Sequence, residues 1–385
     1  MTSDSAAPSS TPLRDIAAVF LKLGTTAFGG PAAHIAMMDE EVVSRRRWLT
    51  REQFLDYLGA VNLIPGPNST ELAIHIGHAR AGWSGLLVAG MAFIVPAFLI
   101  VYAIAWAYVR YGSLPDAAGI LYGVKPVVVA VVAQALVGLA RTAVRSPRLA
   151  AIAIGAAVAA LAGMHELAVL LAAGILAAVT GATARARALL VSLLAGSGAT
   201  VAAASTSAPV ALGPLFLVFA KAGAVLFGSG YVLLAFLRAD LVERLGWLTE
   251  AQLLDAIAVG QVTPGPVFTT ATFIGYLLAG PAGAVVATIG IFLPAFFFVA
   301  ISGPLVPRLR TSRLARAVLD GVTVASLALM AVVTLQLARA ALVDVATWTI
   351  AAGSLAAMLW LRVSSAWLML AAAALGWALV RGPGA

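Results

Sequence analysis

Ionisable side chains are scarce in this chain, and the few set inside apolar runs define the chemistry open to it. Two lysines, Lys22 and Lys221, lie in such runs. An unpaired charge at the centre of a bilayer costs about 3 kcal/mol even on a lenient scale. Each lysine is therefore expected to serve a substrate cavity, to snorkel to an interface, or to pair with a carboxylate such as Asp56. Glu71 stands just beyond a Pro-Gly-Pro break, where a carboxylate suits either proton carriage or stabilisation of its own helix start. His34 and His75 suit a proton relay or the wall of a polar cavity. Glu71, His75 and His78 share one helical face, but a metal needs further ligands and the second half offers Ile274 and Tyr276 instead. No metal and no cofactor is assigned. No histidine, carboxylate and nucleophile recur as a set and there is no phosphate-binding loop, so an enzyme is disfavoured.

The element that positions these groups is NLIPGPNSTELAIHIGH, residues 62–78. Pro65, Gly66 and Pro67 bar a regular helix, and Asn68, Ser69 and Thr70 are good caps for a helix running onward. A second break, Pro264, Gly265 and Pro266, is followed by Val267, Thr269 and Thr270. Composition supplies the setting. With 62% hydrophobic residues, 10% charged and a mean hydropathy of +1.01, a soluble fold would lack polar surface to cover itself. The expected fold class is an all-α polytopic membrane protein. Broken backbone at membrane depth is tolerated only where protein or a water-filled cavity satisfies it, so the breaks are the first place to seek a substrate site. The net charge of +8 comes mainly from arginine clusters between apolar segments, which set topology and do not indicate nucleic-acid binding. There is no cysteine, hence no disulfide. Residues 1–12 are polar and small, and are expected to form a disordered tail without a cleavable signal.

Residues 20–70 align without a gap to 219–269, with 18 of 51 positions identical, including both Pro-Gly-Pro triplets. The match resumes after one gap at Pro96-Ala97-Phe98 and Pro294-Ala295-Phe296. The expected organisation is a first membrane repeat at 13–184, a linking transmembrane helix at 185–210 and a second repeat at 211–385. Repeats of this kind indicate a transporter with its site at the repeat interface. Arg141, Arg145 and Arg148 crowd one loop of the first half, whereas Arg308, Arg310, Arg313 and Arg316 crowd the preceding loop of the second. Equivalent loops thus prefer opposite sides, which implies inverted halves. This works if each break is the tip of a re-entrant hairpin of half-helices, with the N-terminus cytoplasmic and the C-terminus outside. Pairing the half-helices into full crossings is the alternative count.

Helix N-termini supply positive potential and hydrogen-bond donors to a site in mid-membrane. Helices starting near Ser69, near Val267, after Pro31 and after Gly230 are expected to point at one centre, with Asn68, Ser69, Thr70, Thr269 and Thr270 adding side-chain donors.

FLKLGTTAFGGPAAHIAMMDEEVVSRRRWL, IPGPNSTELAIHIGHARAG and a second copy bearing GWLT and TPGP resemble the chromate ion transporter (CHR) family in its long, two-domain form. The resemblance covers nearly the whole chain. It implies export of chromate across the cell membrane, of the bacterial inner-membrane type, with resistance as the outcome, sulfate as the competing anion and the proton gradient as energy source. The family's first-half signature falls on Phe28, Gly29, Gly30, Pro31, His34, Glu41, Arg45, Trp48, Pro65, Gly66, Pro67 and Glu71. The second half departs from it, with Gly228, Ser229 and Gly230 for Gly-Gly-Pro and Thr270 for Glu71, so unequal contributions are expected. The substrate-binding set is then Lys22, Gly29, Gly30, Pro31, Asn68, Ser69, Thr70, Lys221, Gly228, Ser229, Gly230, Thr269 and Thr270, with Glu71, His75 and His34 as proton-coupling candidates. Membrane lipid is the other expected partner, and a homodimer is left open. A transporter of another anion, such as sulfate or an organic acid, is the alternative.

Overall fold

The computed structural model describes residues 11–28, 30–112, 114–181, 210–226, 232–361 and 363–381. Residues 1–10 of the expected tail, almost all of the expected linking helix, and the candidate site residues Gly29, Gly228, Ser229 and Gly230 lie outside the described residues. Thr11 and Pro12, expected in a disordered tail, are instead held in place, Thr11 buried with its N–H on the Arg80 carbonyl and Pro12 at the start of the first helix. Among those described, every regular element is helical and none is a strand. The chain is an all-α, multi-pass membrane protein. Asn68–Tyr111, Asp116–Ala143, Val267–Ser302 and Arg313–Ala341 are long and apolar enough to cross a bilayer, and shorter apolar helices surround them.

The first half runs α1 (Leu13–Thr26), α2 (Gly30–Asp39) with a π-helical turn Glu40–Arg45, α3 (Arg51–Val61), α4 (Asn68–Tyr111), α5 (Pro115–Ala143), α6 (Pro147–Leu161) and α7 (Glu166–Gly181). The second runs α8 (Leu212–Val225), α9 (Leu233–Leu237) with a π-helical turn Arg238–Arg244, α10 (Glu250–Val262), α11 (Thr270–Thr311), α12 (Arg313–Ala341), α13 (Val345–Ala356) and α14 (Ser365–Arg381). A single 3₁₀ turn, Val267–Thr269, precedes α11. α3 and α10 begin alike because Thr50 with Gln53, and Thr249 with Gln252, close reciprocal capping boxes.

α4 is two helices joined by a reversal. Ala81 (φ −148°, ψ 28°) and Gly82 (φ 60°, ψ −144°) leave helical geometry, and Ala279 and Gly280 do the same in α11 (φ 61°, ψ −151° at the glycine). In a straight helix Gly77 and Ala89 would stand about 18 Å apart. Here a Cβ on Gly77 would fall 2.5 Å from the Ala89 Cβ and 2.2 Å from the Gly85 carbonyl oxygen, so the half-helix folds back along its successor. Gly275 meets Gly283 and Ala287 in the same way. The half-helices expected beyond each Pro-Gly-Pro are therefore present, each turning into a full-length partner.

Arg80, at the end of the first half-helix, fixes which ends coincide. Its Nε donates to the Thr11 hydroxyl at 2.8 Å and its Nη1 to the Trp48 carbonyl at 3.0 Å. The segments 11–48 and 48–80 each return to the end from which they leave. At the far end of α4, Arg381 binds the Asp116 carboxylate at 2.6 Å and the Tyr122 hydroxyl donates to Asp344 at 2.6 Å. The loops at 111–116 and 342–344 thus share one end, opposite Arg80. Packing is exchanged between halves: α5 lies against α13 and α14, while α12 lies against α6 and α7. α1 packs on α4 and α8 on α11, and the two bent helices touch each other.

Gly77→Leu and Gly275→Leu are each expected to destabilise the purified protein by about 3 kcal/mol, since a side chain there strikes backbone that cannot move aside. Gly138→Leu, in α5 with nothing within 4 Å, should leave the thermal midpoint unchanged or raise it. Melting curves in detergent check this. Equal midpoints for Gly77→Leu and Gly138→Leu would contradict the fold-back.

Candidate functional site

The four interruptions in helix are tied in two pairs by backbone hydrogen bonds that cross between halves. The Gly66 N–H donates to the Leu226 carbonyl at 2.7 Å, and the Gly265 N–H donates to the Ala27 carbonyl at 3.0 Å. Ala27 and Leu226 are counterparts in the duplication, as are Gly66 and Gly265, so each Pro-Gly-Pro tip is satisfied by the first break of the other half. Close approach explains the glycines. A Cβ on Gly265 would lie 2.8 Å from the Ala97 Cβ, and one on Gly66 would lie 3.8 Å from the Ala295 Cβ and 2.3 Å from Glu71 Oε1.

Among the described residues, side chains extend this network on one side only. Buried His34 places Nε2 3.1 Å from the Ala27 carbonyl and Nδ1 3.2 Å from the Ser69 hydroxyl. A carbonyl can only accept, so Nε2 carries the proton, and in the neutral ring Nδ1 accepts from Ser69. The corresponding positions of the second half are Leu233 and Phe268, both apolar.

Glu71 is fully buried, and neither carboxylate oxygen has a hydrogen-bond partner. It does not close a capping box. Thr70 Oγ1 and Gln261 Nε2, beside the two breaks, are buried and unpartnered as well. Each such group costs about 1–3 kcal/mol unless ligand, water or proton completes it, and all three residues stand beside the breaks. His75, one turn on from Glu71, lies 3.3 Å from the Ser302 hydroxyl of α11 and stacks on Tyr57. The Ser302 proton goes to the Val299 carbonyl at 2.8 Å, so His75 Nε2 is the donor. His78 turns away, edge-on to Trp83.

Other sequence expectations are corrected. Asn68, Ser69 and Thr70 do not cap α4: Pro67 occupies the cap position without a side-chain bond, and Asn68 Nδ2 donates instead to Asn62 Oδ1 at 2.8 Å. Thr269 and Thr270 donate their hydroxyl protons to the carbonyls of Pro266 and Val267, both at 2.8 Å, and so present acceptors, not donors. Gly30 and Pro31 open α2 beside the first break.

The lysines are paired, and not with Asp56. Lys22 Nζ lies 3.1 Å from Glu41 Oε2, and Arg45 and Arg46 reach the same carboxylate at 3.3 Å each. Lys221 pairs with Asp240, the counterpart of Glu41, and Arg244 joins at 2.6 Å. The Glu41 cluster sets three cations against one carboxylate, a net positive field, whereas Glu166 stands near Lys221 and Asp240 and offsets the second cluster. Sequence reading also missed Gln261 and the ion pair of Lys125 with Asp255. Lys125, the remaining lysine, was itself the available signal.

A family model described as chromate transporter matches residues 14–181 and again 213–377. A chromate transport protein of Cupriavidus metallidurans is 34% identical over 94% of this chain and 92% of its own. A probable chromate transport protein of Synechococcus elongatus is 33% identical over 88% of each chain, and an uncharacterized transporter of Methanocaldococcus jannaschii is 27% identical over 86% of this chain and 85% of its own. All three are named as transporters, none as an enzyme. No solved structure matches the chain.

Burial works to raise the Glu41 pKa, but hydrogen bonds from Lys22, Arg46 and Arg45 outweigh it and hold the group below the ordinary carboxylate range. Its contribution to stability is therefore full above the unfolded carboxylate pKa and is lost as pH falls through the lower folded value. Glu41→Gln should cost about 1–3 kcal/mol at pH 7. Unfolding midpoints of variant and wild type, followed down in pH, should converge only in the acid limb. A pH-independent difference would remove Glu41 as the cation clamp.

Proposed function

Because the chain belongs to the chromate transporter family, we propose that it carries chromate across the cell membrane, outward from the cytoplasm and in exchange for protons, with sulfate as the competing anion and resistance as the outcome. The observation that carries this reading is the crossed pair of hydrogen bonds that joins each Pro-Gly-Pro tip to the first break of the other half. It supports two halves of inverted topology enclosing a single site, as does the exchange of α5 and α12 between halves. Proton coupling is assigned to Glu71. An ionised carboxylate without a donor is costly in a low dielectric, whereas the protonated acid is far less so, and such a group suits alternate uptake and release of a proton. His75 and His34, on either side of the tip, are its partners in the relay.

Gly29, Gly30, Pro31, Gly228, Ser229 and Gly230 complete the proposed walls at the first breaks, and the amides at the starts of α4 and α11 face the anion. Lys22 and Lys221 act through the field of their clusters, drawing the dianion toward the centre from opposite ends. On this topology the Arg80 end is cytoplasmic and the Asp116 end outside, in a bacterial inner membrane. A homodimer is compatible with the arrangement and is not required by it.

Chromate flux into proteoliposomes with an imposed pH gradient, with sulfate as competitor, is the test. Wild type should show gradient-driven flux that sulfate reduces. Glu71→Gln should keep equilibrium chromate binding within about twofold of wild type or tighten it, having lost a like charge, while losing the response to the gradient. Full gradient-driven flux in Glu71→Gln would remove the carboxylate from proton coupling.

A further inference from the structure

A second polar chamber lies away from the breaks, at the Asp116 end. This cavity of about 370 Å³ is lined by Tyr108 and Gly112 of the first half's α4 and its loop, by Tyr122 and Lys125 of α5, and by Asp255 and Val343 of the second half. Asp255 is 4% exposed and Lys125 22%. The Tyr108 hydroxyl donates to Asp255 Oδ2 at 2.8 Å, and Lys125 Nζ stands 3.1 Å from Oδ1. That second approach is not an aligned hydrogen bond, and Oδ1 counts among the buried oxygens without one.

A carboxylate held by an ammonium and a phenol places two oxygens on two donors, as one face of an oxyanion does. The duplication does not demand this cluster. Asp56, the counterpart of Asp255, is exposed, and Thr323 stands where the second half would repeat Lys125. α10 leads from Asp255 to the end of the helix at Val262, seven residues and about 10 Å along the axis, so the chamber lies about two helical turns from the helix end that precedes the second Pro-Gly-Pro break.

We propose that Lys125 and Tyr108 form a second site for tetrahedral dianions, a staging point between the break site and the Asp116 end, in which Asp255 occupies the anion's place until substrate displaces it. The proposal rests on the oxyanion-transport reading for its cargo, but its geometry is separate. An internal competitor lets an anion bind and leave without a trap, because Lys125 always has a partner to return to.

A merely structural ion pair and a substrate site predict opposite signs for loss of the carboxylate. Equilibrium dialysis of the purified full-length protein, with chromate and separately with inorganic sulfate, reads the number of equivalents bound. Asp255→Asn should raise affinity at this site about tenfold, as expected when one charge-assisted competitor is removed, so that two equivalents bind where wild type holds one. Asp255→Ala gives the same release if Asp255→Asn is not monodisperse. In the Asp255→Asn background, Lys125→Gln should abolish the added equivalent alone and Lys125→Arg should keep it. No added equivalent of either anion in either Asp255 variant, or one that survives Lys125→Gln, overturns the proposal. If wild type binds neither anion while Asp255→Asn binds one through Lys125, the second site stands and the reading of the breaks falls.

Discussion

Backbone that leaves the helix inside a membrane has to find partners for its amide and carbonyl groups, and in this protein the partners come from the other half. Gly66 gives its N–H to Leu226 and Gly265 gives its own to Ala27, so neither half can satisfy its own tip. Much of the remaining structure follows from that dependence. Each tip must reach the first break of the other half, which requires short helices that stop midway. Those helices need a full-length partner, supplied by the reversals at Gly82 and Gly280. The exchanged packing of α5 and α12 then holds the two halves in register around the junction.

A shared frame does not make a symmetric site. His34 and Ser69 bridge the first tip with hydrogen bonds, where the second half has Leu233 and the Phe268 ring packed against Phe292. Glu71 has Thr270 as its counterpart, and that hydroxyl is turned back on its own helix. The duplicated backbone therefore supplies the crossed tips, and among the described residues the buried histidine and carboxylate beside them come from the first half. The cation clusters at Glu41 and Asp240 are the duplicated electrostatic element. Each uses an acid to hold more than one cation in place, so that no lysine is left unpaired in an apolar run.

The helical class, the short helices flanking each Pro-Gly-Pro and the duplication could be read from the chain because they are local properties: apolar runs too short to span, residues that bar helix, and identities at a fixed offset. The common end of the 111–116 and 339–344 loops also followed, since arginine placement constrains which loops share a side. Partner choice was less legible. Lys22 finds Glu41, 19 residues away, because a π-helical turn carries that carboxylate back toward α1. Thr269 and Thr270 looked like donors by type, but a 3₁₀ turn offers nearer carbonyls for their protons. Lys125 and Asp255 are separated by most of the repeat, and no periodicity in either segment points to the other. The crossed tip hydrogen bonds involve backbone atoms alone, which residue identity does not encode.

The central claim is that one site is built jointly by two halves, and chromate binding to glycine variants of the tips tests it most directly. Gly66→Ala places a methyl group against Glu71, and Gly265→Ala places one against Ala97, so each disturbs a different half of the same junction. With thermal melts confirming that both variants fold, each alone should weaken binding of the same single chromate equivalent by about tenfold, roughly 1.4 kcal/mol. Full-affinity binding in Gly265→Ala beside a deep loss in Gly66→Ala would place the site in one half and contradict the account.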